Sequence, residues 1–309
     1  MPSPKTRKAQ EIIAAESGER LDAYLAGRFE GYSRNFWKKM IENGNVEVLG
    51  QSQPADFHIA QDMKITIRWP EFSWSDEDLR RWILHEDGQI LVLNKPAGLI
   101  VHPLGESWLR SPRAALMEPE PNLAGLLLKW RPALAAVERL GLAHRLDKET
   151  SGVMVVSLSR KAQASLKAQF ESRKIQKIYR AVVWGEVKRD SGVIDAPIGR
   201  EAHGRLLRVI AMGRQAITEY KVLKRGGPTT AMEIYPQTGR TNQIRVHLTS
   251  IGHPVVGDRE YSLGEFPEPA KSQRLLLHAW KIEFAHPQSG KTVKFCAPLP
   301  KDFEIEKTG

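Results

Sequence analysis

The stretch GLAHRLDKETSGVMVVSLS, residues 141–159, joins a charged segment directly to a nearly continuous apolar run. The apolar half predicts a buried strand. Asp147 lies near Arg145, adjoins Lys148, and precedes Thr150, where the predicted strand opens. Because opposite charges lower the pKa of a carboxyl group, we expect Asp147 to be ionised and able to act as a nucleophile or a base. The alternative is an aspartate in a turn that caps local backbone amides.

Strand patterns flank this stretch on both sides. They are QILVLNKP, IQKIYRAVVWGEV, ITEYKVLKR, TAMEIYPQ and a hairpin of LLHAWKIEFAHP with TVKFCAP across PQSGK. Helical spacing occurs in SRKAQASLKAQFES and in GRTNQIRVHLTSIG, where Ile244, Leu248 and Ile251 share one face. Residues 104–140 predict a loop with short helices. Long strands with few helices predict an α+β domain whose sheet is mostly antiparallel.

A separate small unit precedes this domain. GERLDAYLAGRF and SRNFWKKMIENG have apolar residues at helical spacing, and NVEVLG and DMKITIRW have strand patterns. In the second helix Ser33 is the predicted N-cap, Gly44 lies past the end, and Arg34 and Lys38 lie on the helix itself. Two short helices with a small sheet are a suitable shape for contacting RNA.

The predicted domain boundaries follow from a break in pattern. WPEFSWSDEDLR contains a proline, serines and an acidic cluster, which indicate a linker. We predict a tail at residues 1–17, a small α/β domain at 18–69, a linker at 70–84 and a larger domain at 85–309.

The composition excludes several classes of protein. The single cysteine, Cys296, excludes an internal disulfide framework and multi-cysteine metal sites. No apolar run approaches the ~18 residues that span a bilayer, and the first residues have no apolar signal core. We therefore expect a soluble, cytoplasmic protein with no membrane partner.

The positive charge favours an acidic partner. The net charge is +10, and the excess lies in residues 141–309, where 28 Lys and Arg face 17 Asp and Glu. It is densest at residues 160–189 and suits the phosphates of a nucleic acid. The alternatives are a basic protein without such a partner and, for residues 160–189, a solvated helix face.

The usual cofactor signatures are absent from the sequence, namely GxxxxGK[ST], GxGxxG, HExxH and CxxC. We therefore expect ordinary side chains to perform any chemistry, with no cofactor and no metal. His144, His247 and His253 have a spacing that matches no zinc template, which favours structural roles for them.

Several motifs in order resemble those of the RluA-type RNA pseudouridine synthases. HRLDKETSG at 144–152 resembles the catalytic motif of that family. LVLNKPAGLIVHP, KIYRAVVWGE, TGRTNQIRVHL, GHPVVGD and LLLHAWKIEFAHP resemble the further motifs, and together they cover about residues 85–300. RLDAYL, SRNF and NGNVEVLG resemble the alpha-L RNA-binding motif.

The resemblance implies an isomerase that converts uridine in RNA to pseudouridine without a cofactor. Asp147 would be the nucleophile, attacking either the sugar or the base. Arg245 would form an ion pair with Asp147, and Tyr179 would stack on the uracil or move a proton. Arg145 would replace the extruded base or hold its phosphate, and Lys177 would bind substrate.

The resemblance also implies an RNA partner. Arg34 and Lys38 of the small domain would contact the RNA, with ribosomal RNA preferred to transfer RNA as the substrate. The expected assembly is a monomer. One departure is visible, since the family's GRTHQIR has Asn242 in place of histidine here, a change that keeps a hydrogen-bonding group.

Two other functions compete with this prediction. One is a non-catalytic RNA-binding or ribosome-assembly protein on the same fold, which would not require Asp147, Tyr179 and Arg245 together. The other is a hydrolase using Asp147 and His144, which the sequence favours least because side chains three apart on an extended segment point to opposite faces.

Overall fold

The computed structural model describes residues 9–29, 32–69, 76–103, 107–116, 118, 120–200, 206–261 and 274–303. The described residues form two compact units, one drawn from residues 1–79 and 102–135 and the other from residues 80–101 and 136–309. The second unit is therefore discontinuous, whereas a continuous domain over 85–309 was predicted. No helix in the described part of the chain is long and apolar enough to cross a membrane.

The first unit contains the predicted small helices and strands. Its elements are β1 (Ala9–Ile13), α1 (Leu21–Arg28), α2 (Arg34–Glu42), β2 (Val46–Val48) and β3 (Lys64–Arg68), with an antiparallel sheet in the order β1-β3-β2. The N-cap prediction is confirmed, since the Ser33 hydroxyl accepts a hydrogen bond from the Phe36 N–H at 3.2 Å. The core between helices and sheet includes Trp37, Met40 and Ile65, all fully buried.

Two predicted irregular segments contain regular structure. The predicted tail includes β1, which pairs along its length with β3; residues 1–8 lie outside the described residues. The predicted linker includes α3 (Asp76–Arg81) and the start of β4 (Ile83–Glu86), while residues 70–75 lie outside the described residues. These elements were not predicted because both segments are short and polar, so neither shows a clear periodic pattern of apolar residues.

The segment at 104–140 folds as short helices and turns, as predicted. Its described parts include α4 (Ser107–Arg110), α5 (Leu123–Trp130) and 3-10 turns at Pro112–Leu116, Pro132–Ala136 and Glu138–Gly141. Most of it belongs to the first unit. An ion pair between Lys39 Nζ of α2 and the buried Glu118 Oε2, at 3.0 Å, is one contact that holds it there.

A single large sheet organises the second unit. Its strands are β4, β5 (Ile90–Lys95), β6 (Ser151–Ser157), β7 (Gln176–Trp184), β8 (Ser191–Asp195), β11 (Ile217–Gly226), β12 (Thr229–Pro236), β13 (Leu277–Ala285) and β14 (Thr292–Cys296). The order is β4-β5-β6-β13-β7-β12-β11-β8, with β14 also paired to β13. Only the β6–β13 pair is parallel among the described strands. The α+β prediction with a mostly antiparallel sheet is confirmed.

The apolar run at 151–157 forms β6, in which every residue is buried, as predicted. The shorter strands β9 (Ile198–Arg200) and β10 (Leu207–Val209) form a separate ribbon. The helices are α6 (Arg160–Glu171) and α7 (Gln243–Ser250). Ile244 and Leu248 of α7 join a core that includes sheet residues, but Ile251 ends the helix and is exposed, so its predicted place in the buried face is wrong.

Candidate active site

A cleft of ≈ 500 Å³ opens in the second unit beside the segment that leads into β6. Four of the predicted site residues line it together: Arg145, Asp147, Lys177 and Tyr179. The walls come from residues 143–147, Thr150, the end of α6, the start of β7 and the turn between β12 and α7. Residues far apart in sequence are thus brought around one carboxylate.

Asp147 lies in a turn that backbone hydrogen bonds and the side chain of Lys95 hold in place. Its carbonyl accepts a hydrogen bond from the Thr150 N–H at 3.1 Å, and the carbonyl of Lys148 accepts one from Lys95 Nζ at 3.1 Å. Lys95 is fully buried and also donates to the carbonyls of Pro96 and Leu99, each at 2.8 Å. The NKPAG segment therefore supports the Asp147 turn structurally.

The environment of Asp147 raises its pKa. Burial is the largest effect, and it is opposed by the charges of Arg245 and Arg145, by a hydrogen bond from the Asn242 N–H and by the charge of Lys95. The expected lowering of this pKa is therefore wrong, because the sequence shows the neighbouring cations but not the desolvation. Ionisation of Asp147 depends on the cations around it.

Arg245 forms its ion pairs with carboxylates other than Asp147. Its Nε and Nη2 donate to Asp258 Oδ2 and Oδ1, each at 2.6 Å, and Nη2 also donates to Glu260 Oε2 at 2.8 Å. No direct Asp147–Arg245 ion pair occurs among the described residues, so that prediction is wrong; Arg245 acts on Asp147 through its charge. Burial lowers the pKa of Arg245, but Asp258 and Glu260 outweigh burial and raise it.

Asp258 is therefore a site residue that the sequence did not single out. It is buried, and its Oδ1 also accepts the backbone N–H groups of Glu260 and Tyr261, at 3.0 and 3.1 Å. The available signal was its place as the last residue of GHPVVGD, a motif next to the arginine-bearing helix.

Asn242 links the two parts of this site. It has φ 54°, the left-handed conformation that asparagine tolerates better than most residues, and it is the N-cap of α7. Its N–H donates to Asp147, its Oδ1 accepts Arg245 Nη1 at 3.3 Å, and its Nδ2 donates to the Tyr261 hydroxyl at 3.1 Å. The asparagine thus keeps the hydrogen-bonding capacity expected of this position.

Lys177 and Tyr179 lie two residues apart on β7 and face the same cleft. Burial and the charge of Asp147 raise the pKa of Tyr179, so its phenol stays protonated. Burial lowers the pKa of Lys177 to about 8. Arg145 is exposed at the cleft, where its side chain is accessible to a ligand.

The histidines have structural partners. His144 Nε2 accepts the Val155 N–H at 3.0 Å, and burial, together with the charge of Lys177, lowers its pKa to about 3. An imidazole already occupied as an acceptor is a poor base, which counts against the hydrolase alternative. His247 contacts Thr218 Oγ1 and the Ala196 carbonyl, and His253 contacts the Trp184 carbonyl, each at 2.9 Å.

The basic stretch at 160–189 divides into two groups. Lys167, Arg180 and Lys188 form ion pairs with Glu138, Glu233 and Glu186. Arg173 and Lys177 instead line the cleft. The stretch is therefore no uniform phosphate-binding surface; part of its charge is neutralised within the protein.

Arg34 and Lys38 lie on α2 of the first unit. The Arg34 Nε is 3.0 Å from Asp22 Oδ2, and Lys38 Nζ is 3.8 Å from Glu42 Oε1. Both side chains are 55% exposed, so each can still meet a ligand.

Comparisons with known proteins also identify RNA pseudouridine synthases as similar to this chain. Residues 89–250 match the family described as RNA pseudouridylate synthase. The chain is 40% identical over 300 residues to "Ribosomal large subunit pseudouridine synthase D" of Neisseria meningitidis serogroup A, covering 93% of this chain and 77% of the relative. It is 36% identical over 316 residues to the protein of the same name from Pseudomonas aeruginosa, covering 97% and 95%. Among solved structures, "Human RNA Pseudouridylate Synthase Domain Containing 1" is similar with TM-score 0.55 and 28% identity, covering 73% of this chain and 85% of that one.

Proposed function

The chain belongs to the RNA pseudouridylate synthase family, and we propose that it isomerises uridine to pseudouridine in the RNA of the large ribosomal subunit. The names of its relatives from Neisseria and Pseudomonas support this substrate. The observation that carries the proposal is the half-buried Asp147, which shares one cleft with Tyr179, Lys177 and Arg145.

Asp147 is the proposed nucleophile. In the reaction the bond between the ribose C1′ and the uracil N1 breaks, the base turns, and a bond between C1′ and C5 forms. C5 loses a proton and N1 gains one, so the product is an isomer of uridine. Asp147 attacks either the sugar or the base, and the bond that it forms breaks again before pseudouridine is released, which regenerates the carboxylate. Burial raises its pKa and the nearby cations oppose that rise, which leaves a desolvated and therefore more reactive carboxylate.

Tyr179 is proposed to contact the uracil. Its raised pKa supports a protonated phenol that stacks or donates rather than a phenolate. The Tyr179→Phe variant separates two roles, because it keeps the ring and removes the hydroxyl. Retained turnover favours stacking, whereas lost turnover with retained RNA binding favours proton movement.

The remaining cations are proposed to hold RNA. Arg145, exposed at the cleft, replaces the flipped base in its stack or holds its phosphate. Lys177 binds the nucleotide inside the cleft. Arg34 and Lys38 of the first unit contact a further part of the RNA, consistent with their exposure.

The proposal is tested by incubating the full chain with tritiated-uridine transcripts of large-subunit ribosomal RNA and of transfer RNAs, with a chelator present. We expect pseudouridine in the ribosomal transcript, without added cofactor or metal. Pseudouridine only in the transfer RNA would revise the substrate. RNA binding without pseudouridine on any transcript, or in cells expressing the protein, would favour the non-catalytic alternative.

A further inference from the structure

Three arginines from three separate elements converge near the cleft and are named here the arginine triad. Arg173 follows the end of α6, Arg214 precedes β11, and Arg240 lies in the turn between β12 and α7. Arg173 and Arg240 line the same cleft as Asp147. The charges of Arg214 and Arg173 both lower the pKa of Arg240, which places each of them within electrostatic range of Arg240.

The backbone that carries each arginine is fixed by internal hydrogen bonds. The Arg240 N–H donates to Gln243 Oε1 at 3.0 Å, and its Nε donates to the Gln215 carbonyl at 3.1 Å, next to Arg214. The N–H of Arg214 donates to the Ile198 carbonyl at 2.8 Å, and its carbonyl accepts the Ile198 N–H at 2.9 Å. Arg173 has φ 56° and donates its N–H to the Phe170 carbonyl at 3.2 Å. Because the backbone of each arginine is already ordered, less conformational entropy is lost when a ligand binds.

The members of the triad differ from Arg245 in their partners. None of its members forms an ion pair with a carboxylate of the described residues. Burial, followed by the charges of Arg214 and Arg173, lowers the pKa of Arg240. Arg245 offers the contrast, since two carboxylates bind it and its pKa is raised. Asp147 and Glu171 also line the cleft, but neither forms an ion pair with the triad. Guanidinium groups gathered beside a cleft without a carboxylate bound to them are typical of a site that binds an anionic ligand.

The ligand that fits three guanidinium groups is a phosphate. Guanidinium groups bind phosphate oxygens through paired, charge-assisted hydrogen bonds. A nucleotide that enters a cleft while its strand stays outside leaves its flanking phosphates at the mouth. Phosphate contacts of this kind fix the register of the strand and carry no base specificity.

We propose that Arg173, Arg214 and Arg240 bind a backbone phosphate beside the target uridine and so position the RNA strand over Asp147. This inference rests on the proposed function and deepens it, because it assigns the group that aligns the substrate. The triad touches the phosphate and not the reacting base, so it acts mainly on substrate binding.

The test compares Arg173→Gln, Arg214→Gln and the double variant with the wild type on the ribosomal transcript. We expect KM and the Kd for RNA to rise about tenfold for each lost contact, the range of a charge-assisted hydrogen bond. The slope of log Kd against log salt should fall by about 0.7–0.9 per contact. The rate at saturating RNA should change far less than KM. Lys221→Gln, an exposed lysine on β11, removes one charge elsewhere in the same unit and should change neither quantity.

Thermal melting identifies any variant that loses its fold. Arg173→Lys keeps the charge but not the paired hydrogen bonds, so it should restore the salt slope and only part of the affinity. Unchanged Kd and salt slope in a folded double variant would overturn the inference, as would a loss confined to the saturated rate. If the wild type made no pseudouridine while the variants still weakened RNA binding, the phosphate site would stand and the proposed function would fall.

Discussion

The charged groups of the cleft and those of α2 differ in how far they are removed from water. Beside the cleft, Lys95 and Arg245 act on Asp147 through their charges and are buried, and burial raises the pKa of Asp147. On α2, Arg34 and Lys38 are mostly exposed. Arg34 pairs with the buried Asp22, whereas the pair of Lys38 with Glu42 lies at the surface, where an ion pair contributes about 0–1 kcal/mol. A desolvated charged group is more reactive, and its pKa depends strongly on neighbouring charges. An exposed charged group mainly attracts ligands of opposite charge. Substitutions should therefore change the reaction in the cleft and only the affinity on α2.

The largest effect is expected at Asp147. Asp147→Asn keeps the shape of the side chain and removes the nucleophile, so pseudouridine formation should fall by at least about 10³-fold. RNA binding should persist, because the cations of the cleft remain. Tritium release with labelled RNA measures turnover, and filter binding measures affinity. Glu186→Gln, at an exposed position of the same unit, is the control and should stay active; measurable turnover by pure Asp147→Asn would refute the nucleophile.

The next effect is expected at Arg245. Arg245→Ala removes the guanidinium group that binds both carboxylate oxygens of the buried Asp258, and breaking a buried ion pair in this way should destabilise the fold by about 3–5 kcal/mol. It also removes a charge that lowers the pKa of Asp147, so that pKa should rise further. Since the reaction needs ionised Asp147, the acidic limb of the rate profile should move to higher pH. Turnover at neutral pH should fall about 100-fold, as expected for a misplaced catalytic group.

Two further variants isolate that effect. Arg245→Lys keeps the charge but not the two-pronged contact, so it should lose less activity and show a smaller pH shift. Arg259→Gln removes an exposed cation beside Asp258 and should change neither. An unshifted acidic limb in folded Arg245→Ala would show that Arg245 does not act on Asp147.

A smaller effect is expected at Lys95. Lys95→Met removes three hydrogen bonds to carbonyls that support the Asp147 turn, so turnover should fall about tenfold and stability by about 1–3 kcal/mol. The control is Lys291→Met, at an exposed lysine. Wild-type activity in the folded variant would show that the Asp147 turn holds without Lys95.

Lys95 also predicts a pH dependence of stability. Burial lowers its pKa in the folded chain from 10.5 to about 7, so between these values the unfolded chain binds more protons. Its contribution to the free energy of unfolding should therefore rise from about pH 7 to 10.5 and fall as the pH drops through 7. Urea unfolding across this range should show the slope in the wild type and a smaller one in Lys95→Met.

Features that depend on neighbouring residues could be predicted from the sequence, whereas features that depend on distant contacts could not. The buried strand β6 and the Ser33 N-cap are local features, and both were predicted. The motifs that contain Asp147 and Tyr179 also identified two residues that line one cleft. The partner of Arg245 was missed because Asp258 lies 13 residues away in irregular chain. The direction of the Asp147 pKa shift was missed because desolvation depends on the tertiary structure.

The place of residues 102–135 in the first unit was not predicted, for the same reason. Residues 102–135 belong to the first unit, and their ion pair from Lys39 to Glu118 spans 79 residues of sequence. No composition change marks such a contact. The boundary at residues 70–84 was placed where the pattern breaks, and a break in pattern carries no information about which distant segments pack together.

The smallest effect is expected on α2. Lys38→Gln removes an exposed charge whose pair with Glu42 contributes about 0.3–0.5 kcal/mol, so stability should be almost unchanged. Arg34→Gln leaves the buried Asp22 with Arg20 as its remaining partner, so it should destabilise the fold slightly more.

If Arg34 and Lys38 both contact phosphates, the double variant should bind the ribosomal transcript a few-fold more weakly, with a salt slope smaller by about 0.7–0.9 per contact. The rate at saturating RNA should remain close to that of the wild type, because Asp147 and its cations are untouched. A loss of saturated rate without a loss of affinity would contradict the division between a reactive cleft and an attracting surface, whereas an unchanged salt slope would leave Arg34 and Lys38 as surface ion pairs alone.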